Sequence, residues 1–483
     1  MTRQQSFSRV ISSRAADTPD EVVVVADHEG RSMTARELDA RSNALAREYL
    51  ARGVTRDDLV AVSLPNGIEF VAACAAIWKA GATPMPLSPA LAGVERAALE
   101  RLARPTLAIG DRPAEASIPW LPSGFEPQAA GTELPDTWAA SWKAPASSGS
   151  TGVPKIVTAI APALIDPRRP VAPFLPYRAV QLVTAPLWHS AAFTYAFRGL
   201  LTGHRLVLTD GFDEHRFADL VRHHDVTWTL LSPSSIRRLL GMSELPRVDS
   251  LATVLHLGAP CSVADKRALI DWLGAEKVIE VYAGSESNGL TMITGTESLA
   301  KPGSVGKPIG DTEIRILRPD GSHAACDEIG QIWMRRGQRP AYRYLGAASR
   351  RTDDGWDTLG DVGLLDEDGY LTVVDRADDV IVTAGRTVYP SRVEHALEAH
   401  PDVRGAVVYG CVCGEVAAVI DIGASSTDVA AVRALAATLL PAAELPSRIE
   451  TTRSPLRNQA GKVRRSTFRS ACENARTAEE HCA

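Results

Sequence analysis

The sequence lacks any long uninterrupted run of apolar residues. The longest run, Phe70–Trp78, has nine residues and ends at Lys79, whereas a helix that spans a bilayer needs about 20. The first residues, from Met1 to Ser6, also lack the apolar core of a secretory signal peptide. The sequence therefore predicts no membrane insertion, and we expect a cytoplasmic protein.

Cysteine is scarce and scattered, with seven residues in a chain of 483. An odd number without regular spacing is typical of a reducing compartment. Only Cys411 and Cys413 stand close together, and two sulfurs do not make the four-ligand pattern of structural zinc. We therefore expect no structural zinc site.

A strong net charge is absent as well. The formal net charge is −6 and the isoelectric point is near 6.0, which gives no general attraction to nucleic acid or to an anionic membrane. With 45% hydrophobic and 23% charged residues, the composition is that of a globular protein long enough for two or more domains. The sequence contains no internal repeat.

The chain alternates helical patterns with apolar, strand-like segments. Thr34 and Glu37 have the spacing of a capping box, which predicts a helix that begins after Thr34. Leu59–Leu64 and Ala82–Leu87 are short apolar strands, and Asn66–Lys79 between them is helical. Buried strands separated by helices predict an α/β fold, with mostly parallel sheets covered by helices on both faces.

The pattern changes in the last third of the chain. From about Thr312, shorter strands alternate with turns and include a strand at Gly355–Leu359, which predicts a small antiparallel β subdomain. From about Arg376, helices mixed with a hairpin predict a small α+β unit. We therefore predict a large N-terminal domain over residues 1–375 and a small C-terminal lid domain over residues 376–483.

A stretch of small residues in the middle of the chain has the composition of a phosphate-binding loop. Glycines let the backbone bend around an anion, while hydroxyl and N–H groups face it. The Walker spacing is absent, because Pro154 precedes Lys155 and Ile156 follows it; an ordinary P-loop NTPase is therefore disfavoured. A flexible Ser/Gly linker is the alternative for this stretch alone. The residues that would face phosphate are Ser147, Ser148, Gly149, Ser150, Thr151, Gly152 and Lys155.

Five stretches in a fixed order carry a resemblance to a known family. They are Ser147–Lys155, Gly258–Pro260, Val281–Glu286, Gly355–Asp361 with Asp375–Asp379, and Asn458–Lys462. Together they resemble the adenylate-forming superfamily of acyl- and aryl-CoA ligases, peptide-synthetase adenylation domains and beetle luciferases. The resemblance covers nearly the whole chain and implies a large N-terminal domain with a mobile C-terminal lid.

The resemblance also implies a two-step reaction. A carboxylate attacks the α-phosphorus of ATP to form an acyl-adenylate and pyrophosphate, and a thiol then displaces AMP. Because the pattern is closest to that of acyl- and aryl-CoA ligases, it implies ATP, Mg²⁺ and, as co-substrate, CoA.

Several residues take roles around the nucleotide by the same resemblance. The loop Ser147–Lys155 would hold the β- and γ-phosphates, and Glu286 would bind Mg²⁺, for which a carboxylate oxygen is a suitable ligand. Ser285 keeps a hydroxyl where the family usually has Thr. Tyr282 would stack on adenine, although a buried structural tyrosine is the alternative. The other face of the base would lie against the backbone of Gly258, Ala259 and Pro260.

The remaining nucleotide contacts come from the end of the large domain and from the lid. Asp361 would accept hydrogen bonds from both ribose hydroxyls, although an Asp in a turn is common for structural reasons. Arg376 would contact ribose or phosphate, and Asp378 would be the hinge of the lid.

Lys462 is the strongest single assignment that the resemblance supplies. It would reach the α-phosphate and the carboxylate, where a cation offsets the charge that grows in the transition state. The segment Arg453–Ser470 carries six basic residues and no acidic ones, so a basic surface patch is the alternative.

The acid substrate would bind near Pro186–Phe193. No carboxylate occurs between Ala185 and Asp210, so the ammonium of an amino acid would be buried without a partner. His189 matches the histidine that lies beside the carboxylate in acyl- and aryl-CoA ligases, with a core histidine as the alternative. We therefore predict an aryl or alkyl acid in an apolar pocket. Its candidate lining residues are Trp188, Phe193, Tyr195, Gly284 and His256.

The chain departs from the family pattern at Ala283, Leu359, Asp375, Val382 and Arg392. None of these positions removes a catalytic charge, but the segment Asp379–Tyr389 would contact CoA. The alternatives are a stand-alone adenylating enzyme that loads a carrier protein or an amine, and a non-catalytic nucleotide-binding regulator. Retention of Glu286 and Lys462 argues against the regulator. We expect a small-molecule carboxylic acid as partner, no nucleic acid, and a monomer or homodimer.

Overall fold

The computed structural model describes residues 4–148, 154–383, 385–411, 414–457, 463 and 465–470, with the side chains of 147 and 148 excepted. The helices are α1 (Phe7–Asp17), α2 (Ala35–Ala51), α3 (Ile68–Lys79), α4 (Gly93–Ala103), α5 (Ser190–Leu201), α6 (Glu214–His224), α7 (Pro233–Leu240), α8 (Val263–Leu273), α9 (Gly295–Ala300), α10 (Pro390–Glu398) and α11 (Val429–Leu439). Residues 465–470 are also helical.

The strands are β1 (Gln5–Ser6), β2 (Val22–Ala26), β3 (Arg31–Thr34), β4 (Leu59–Ser63), β5 (Thr83–Pro86), β6 (Leu107–Gly110), β7 (Trp120–Pro122), β8 (Ala146–Ser148), β9 (Pro154–Ala159), β10 (Leu164–Ile165), β11 (Val180–Val183), β12 (Arg205–Leu208), β13 (Trp228–Leu231), β14 (Thr253–His256), β15 (Val278–Ala283), β16 (Leu290–Thr294), β17 (Lys307–Pro308), β18 (Thr312–Leu317), β19 (Gly330–Arg336), β20 (Tyr342–Leu345), β21 (Asp361–Leu365), β22 (Leu371–Arg376), β23 (Ile381–Thr383), β24 (Arg386–Val388), β25 (Gly405–Gly410), β26 (Val416–Asp421) and β27 (Arg448–Thr452).

The largest sheet has nine strands in the order β17-β16-β15-β14-β13-β11-β12-β2-β3. The six inner strands, β15, β14, β13, β11, β12 and β2, pair in parallel with one another. The outer strands β3, β16 and β17 pair antiparallel. From β11 the chain goes to β12 on one side and then to β13, β14 and β15 on the other. The order therefore reverses between β11 and β13, and such a reversal leaves a crevice at the carboxyl ends of the strands.

Smaller sheets complete the molecule. A second parallel sheet has the order β5-β4-β6-β7, and an antiparallel sheet has the order β18-β19-β21-β22. In the C-terminal part, β25 and β26 pair antiparallel while β26 and β27 pair in parallel. The predicted α/β class, with a small antiparallel β subdomain and a small α+β unit after it, is confirmed.

The core between the two parallel sheets is rich in aromatic side chains. The indole of Trp78 on α3 lies 5.1 Å from the Phe7 ring and 4.9 Å from the Phe197 ring, both edge to face. Phe193 and Trp142 complete this cluster, with ring centroids 5.8 Å apart. Edge-to-face contacts of this kind add to the stability gained from burial. No helix within the described ranges is long and apolar enough to cross a membrane.

The predicted start of helix α2 is confirmed. Thr34 and Glu37 form the predicted capping box, with Glu37 accepting a hydrogen bond from the Thr34 N–H at 2.7 Å. The predicted strand at Gly355–Leu359 is wrong. This segment is irregular, with an isolated bridge from Asp357 to Met334, and the strand begins only at Asp361.

The aromatic cluster makes a prediction about stability. Phe197→Ala leaves a cavity beside Trp78 and should lower the free energy of unfolding by about 3–5 kcal/mol. Urea denaturation followed by circular dichroism measures the change. Val94→Ala is the control, because Val94 is 85% exposed and its truncation should change stability by less than about 0.5 kcal/mol. Equal effects of the two substitutions would contradict this account of the core.

Candidate active site

The crevice at the reversal of strand order collects several of the predicted site residues. His189 follows β11 and is the N-cap residue of α5. Gly258 follows β14, and Tyr282 lies near the end of the adjacent parallel strand β15. Because His256 is level with Glu280, Gly258 two residues later is level with Tyr282. Sequence segments far apart in the chain therefore meet at one edge of the sheet.

The predicted phosphate loop is flanked by two paired strands. Strands β8 and β9 pair antiparallel, with Ser147 opposite Lys155, and β20 pairs with the other edge of β9. The flanks of the loop are therefore paired strands and not a free linker. The residues Gly149, Ser150, Thr151 and Gly152 lie outside the described residues, so their contact with phosphate stays a prediction.

Lys155 and Glu286 meet through a tyrosine. The Nζ of Lys155 donates to Tyr344 Oη at 2.9 Å and lies 3.4 Å from Glu286 Oε1, while Tyr344 Oη donates to the same carboxylate oxygen at 2.5 Å. The ammonium also lies 4.0 Å from the centroid of the Tyr344 ring. Burial and the neighbouring Glu286 raise the pKa of Tyr344 far above its usual value. A cation, a hydroxyl donor and a carboxylate are thus held together, which are the groups that binding of phosphate and a metal ion requires.

Sequence reasoning missed Tyr344. The available signal is the alternation of Tyr342 and Tyr344 with Arg343 in a short strand, because alternate residues share one face. The register that puts Tyr344 beside Lys155 comes from pairing with Val157, across almost two hundred residues of sequence.

A second carboxylate is compensated in the same way. Asp361 is buried and accepts a hydrogen bond from Tyr282 Oη at 2.5 Å. It also forms an ion pair with Arg376, whose Nε lies 2.7 Å from the carboxylate. Arg376 also donates to the carbonyl oxygen of Leu359 at 2.8 Å. Burial raises the pKa of Asp361, and Arg376 with the Tyr282 hydroxyl opposes that rise. The structure therefore brings together the predicted adenine, ribose and end-of-domain residues.

The backbone near Tyr282 explains two glycines of the site. A Cβ at Gly284 would lie 2.8 Å from Glu286 Oε2 and 2.7 Å from the Leu359 side chain, so a larger residue here would displace the ends of these two side chains. Gly258 has φ of +98°, and no atom lies within 4 Å of a Cβ placed there. The segment from Gly258 to Pro260 is mostly exposed and leaves an open face beside Tyr282. Ser285 lies partly exposed in the turn between Gly284 and Glu286.

The side of the crevice near α5 is apolar. Trp188 and His189 are partly exposed, and their ring centroids lie 4.7 Å apart. Partly buried apolar residues of one cluster lie at the ends of several strands and on α5. They are Ala185, Ala191, Tyr195, Leu257, Ala283 and Leu290. This part of the crevice is therefore lined by uncharged side chains, several of them small.

Two residues predicted for the acid pocket lie elsewhere. Phe193 has no exposed surface and packs in the aromatic core against Trp78, because the inner face of α5 points to that core. His256 lies on the opposite face of β14 from Leu255 and Leu257, where it approaches Glu280 at 3.9 Å. Neither residue is retained as part of the pocket.

The residues of the predicted lid are described in part. Lys462 lies outside the described residues, so its role stays a prediction. Asp378 is the middle residue of a 3₁₀ turn, Ala377–Asp379. Next to it, Asp379 pairs with Arg465 at 3.0 Å and with Arg469 at 3.2 Å.

Comparison with known proteins defines the class of the protein. Residues 11–344 match the family model described as AMP-binding enzyme. The chain therefore belongs to the AMP-binding enzyme family, and the predicted resemblance to adenylate-forming enzymes is confirmed.

Individual relatives cover nearly the whole chain. The sequence is 29% identical to the 2-succinylbenzoate–CoA ligase of Geobacillus kaustophilus, over 94% of this chain and 96% of the relative. It is 25% identical to the fatty acid–[acyl-carrier-protein] ligase ScoC of Streptomyces coeruleorubidus, over 96% of each chain. The fold is similar to that of o-succinylbenzoate CoA synthetase from Bacillus subtilis in complex with an acyl-adenylate intermediate. The TM-score is 0.82 at 23% identity, covering 96% of this chain and 98% of that one.

The hydroxyl of Tyr344 makes a prediction about nucleotide affinity. Tyr344→Phe removes the group that links Lys155 to Glu286 and should weaken MgATP binding about tenfold, because a hydrogen bond to a charged group contributes about 1.5–3 kcal/mol. Isothermal titration calorimetry with MgATP measures the effect. Tyr342→Phe is the matched control on the same strand, since its hydroxyl donates to Asp357 and its loss should leave the affinity within about twofold. Unchanged MgATP affinity in Tyr344→Phe would contradict the assignment.

Proposed function

We propose that this protein activates an apolar carboxylic acid by forming an acyl-adenylate from ATP and then transfers the acyl group to CoA. The observation that carries the proposal is the pair of compensated carboxylates, Glu286 with Lys155 and Asp361 with Arg376, beside the crevice in the nine-stranded sheet. The predicted use of ATP, Mg²⁺ and CoA agrees with the family and with the relatives.

Each step of adenylation has a residue suited to it. Glu286 would hold Mg²⁺, whose charge would offset that of the departing pyrophosphate. Lys155 and the hairpin turn would hold the β- and γ-phosphates, while Asp361 would bind ribose. His189 at the start of α5 would orient the carboxylate, and Lys462 would offset charge at the α-phosphorus. Positioning and charge neutralisation are the main requirements of phosphoryl chemistry.

The apolar cleft supports an aryl or alkyl acid as substrate. Its lining residues, such as Ala191 and Tyr195, carry no charge, and a buried ammonium would be without a partner there. Of the named relatives, the carrier-protein ligase acts on a fatty acid, which fits an apolar cleft, and the other acts on 2-succinylbenzoate, an aromatic acid with a second carboxylate.

A carrier protein is the second candidate acceptor, and the carrier-protein ligase among the relatives favours it. The experiment is to incubate the protein with MgATP and a panel of aryl and alkyl acids and to follow pyrophosphate release with and without CoA. CoA-dependent turnover supports the proposal. Pyrophosphate release without thioester formation favours a carrier protein or an amine, and absence of release with every acid favours a non-catalytic nucleotide-binding protein.

A cytoplasmic location and a monomeric or homodimeric state belong to the same proposal.

The partners of the chain change between Ala377 and Asp379, at the proposed hinge and close to the proposed domain boundary between residues 375 and 376. Ala377 donates its N–H to the Gly360 carbonyl of the large domain at 2.8 Å. Asp379 instead pairs with Arg465 of the lid. The two parts also touch where Arg237 on α7 meets Glu398 on α10 at 3.0 Å. We infer that Asp378 is the hinge and that residues 376–483 form the mobile lid.

The role of Lys462 gives a prediction about the two half-reactions. Lys462→Ala should slow acyl-adenylate formation by at least about 100-fold, because it removes a cation from the transition state. Thioester formation from supplied acyl-adenylate should stay largely intact. Pyrophosphate exchange and single-turnover thioester assays measure the two steps. Lys301→Ala, which removes a lysine paired with Asp366 and Asp368, should leave both steps unchanged, and equal loss of both steps in Lys462→Ala would refute the role.

The hinge gives a second kinetic prediction. Asp378→Pro restricts the backbone torsion and should slow one half-reaction about tenfold more than the other, because each step needs its own lid position. The same two assays measure it, and Asp378→Ala is the control that leaves the backbone free. Equal slowing of both half-reactions by proline would count against a hinge at this residue.

A further inference from the structure

Lys143 is a buried lysine that no sequence motif singled out. The residue lies just before β8 and is 4% exposed. Its Nζ donates hydrogen bonds to Ser190 Oγ at 2.9 Å and to Thr194 Oγ1 at 2.7 Å. Both partners belong to the first turns of α5, directly after His189.

The partners of Lys143 differ from those of other buried lysines in the described chain. Lys79 pairs with Asp39 at 2.5 Å, and Lys266 pairs with Glu280. The described residues give Lys143 only neutral hydroxyls as hydrogen-bond partners. A buried ammonium without a carboxylate is unfavourable, so an arrangement of this kind calls for a role beyond stability.

The charges around Lys143 belong to the site. Burial lowers the pKa of Lys143 to about 7, with Arg198 on α5 contributing and Glu286 opposing the shift. The charge of Glu286 therefore influences Lys143, which is hydrogen-bonded to the helix that His189 caps. Its direct hydrogen bonds go to α5, and Glu286 acts on it through charge alone.

The sheet geometry links Lys143 to the phosphate hairpin as well. The Lys143 carbonyl accepts a hydrogen bond from the Ala159 N–H at 3.1 Å, and Ser147 four residues later is opposite Lys155. Alternate residues of a strand share a face, so the side chain of Lys143 lies on the Lys155 face of this small sheet. On the helix, Thr194 Oγ1 donates to the Ser190 carbonyl at 2.6 Å, which leaves its lone pairs for the ammonium.

We propose that Lys143 is a positioning residue that ties the start of α5 to the phosphate-binding hairpin and so fixes His189 relative to Lys155. The inference rests on the proposed function. A charged lysine makes stronger hydrogen bonds than a neutral one, and as the pH rises through about 7 Lys143 loses its charge. The hydrogen bonds from Lys143 to Ser190 and Thr194 on α5 should therefore weaken above neutral pH. The charged groups that act on Lys143 are Arg198 on α5 and Glu286 after β15.

The test compares substrate dependence in wild type and Lys143→Met, with an acid identified by the panel above. We expect the KM for the acid to rise about tenfold, as for loss of a charge-assisted hydrogen bond, with the KM for MgATP within about twofold. In wild type, kcat/KM for the acid should fall as the pH passes through about 7, and Lys143→Met should lack this ionisation. Thr194→Val removes an acceptor but keeps the lysine, and it should shift the acid KM in the same direction; it serves if Lys143→Met does not fold.

Lys79→Met is the matched control for loss of a buried lysine. It should lower thermal stability without changing the acid KM or the pH profile. An unchanged acid KM in both Lys143→Met and Thr194→Val, or a wild-type ionisation that persists in Lys143→Met, would overturn the inference. Failure of the proposed function is distinguishable, because wild type itself would then release no pyrophosphate with any acid.

Discussion

Glu286 is a nearly buried carboxylate, and its compensation is the constraint on which the rest of the site depends. A buried charge without a partner is costly, so Lys155 and Tyr344 from the small antiparallel sheet must reach it. The buried carboxylate of Asp361 has the same two kinds of partner, with Arg376 as the cation and Tyr282 as the hydroxyl donor. Each carboxylate thus lies beside a cation and a hydroxyl donor.

The fold makes these pairings possible. The reversal of strand order between β11 and β13 opens a crevice, and the parallel strands place His189, Gly258 and Tyr282 at one edge of the sheet. The β8–β9 hairpin brings Lys155 from a separate sheet to the same place. Asp361 enters from the antiparallel subdomain through the first residue of β21. Three sheets therefore contribute to one site, and no single segment could form it alone.

Much of the fold could be predicted from local signals. Capping boxes, apolar strands and alternating helices predict the α/β class, because these signals depend on neighbours within a few residues. The turn at Gly355–Leu359 was missed, because its apolar residues pack without joining a ladder. The helix α8 was not predicted either, although Ser262 caps it by accepting a hydrogen bond from the Asp265 N–H at 3.0 Å.

The sequence by itself determined the class of enzyme and the residue types that its chemistry needs, because ordered motifs record which charges and hydroxyls must be present. Only the tertiary structure decided which of them meet and which way each side chain points. The face of α5 that turns inward took Phe193 into the core, the pleat of β14 turned His256 away from the cleft, and strand pairing brought Tyr344 to Glu286. Such choices depend on packing between segments far apart in the chain, and a local pattern carries no information about them.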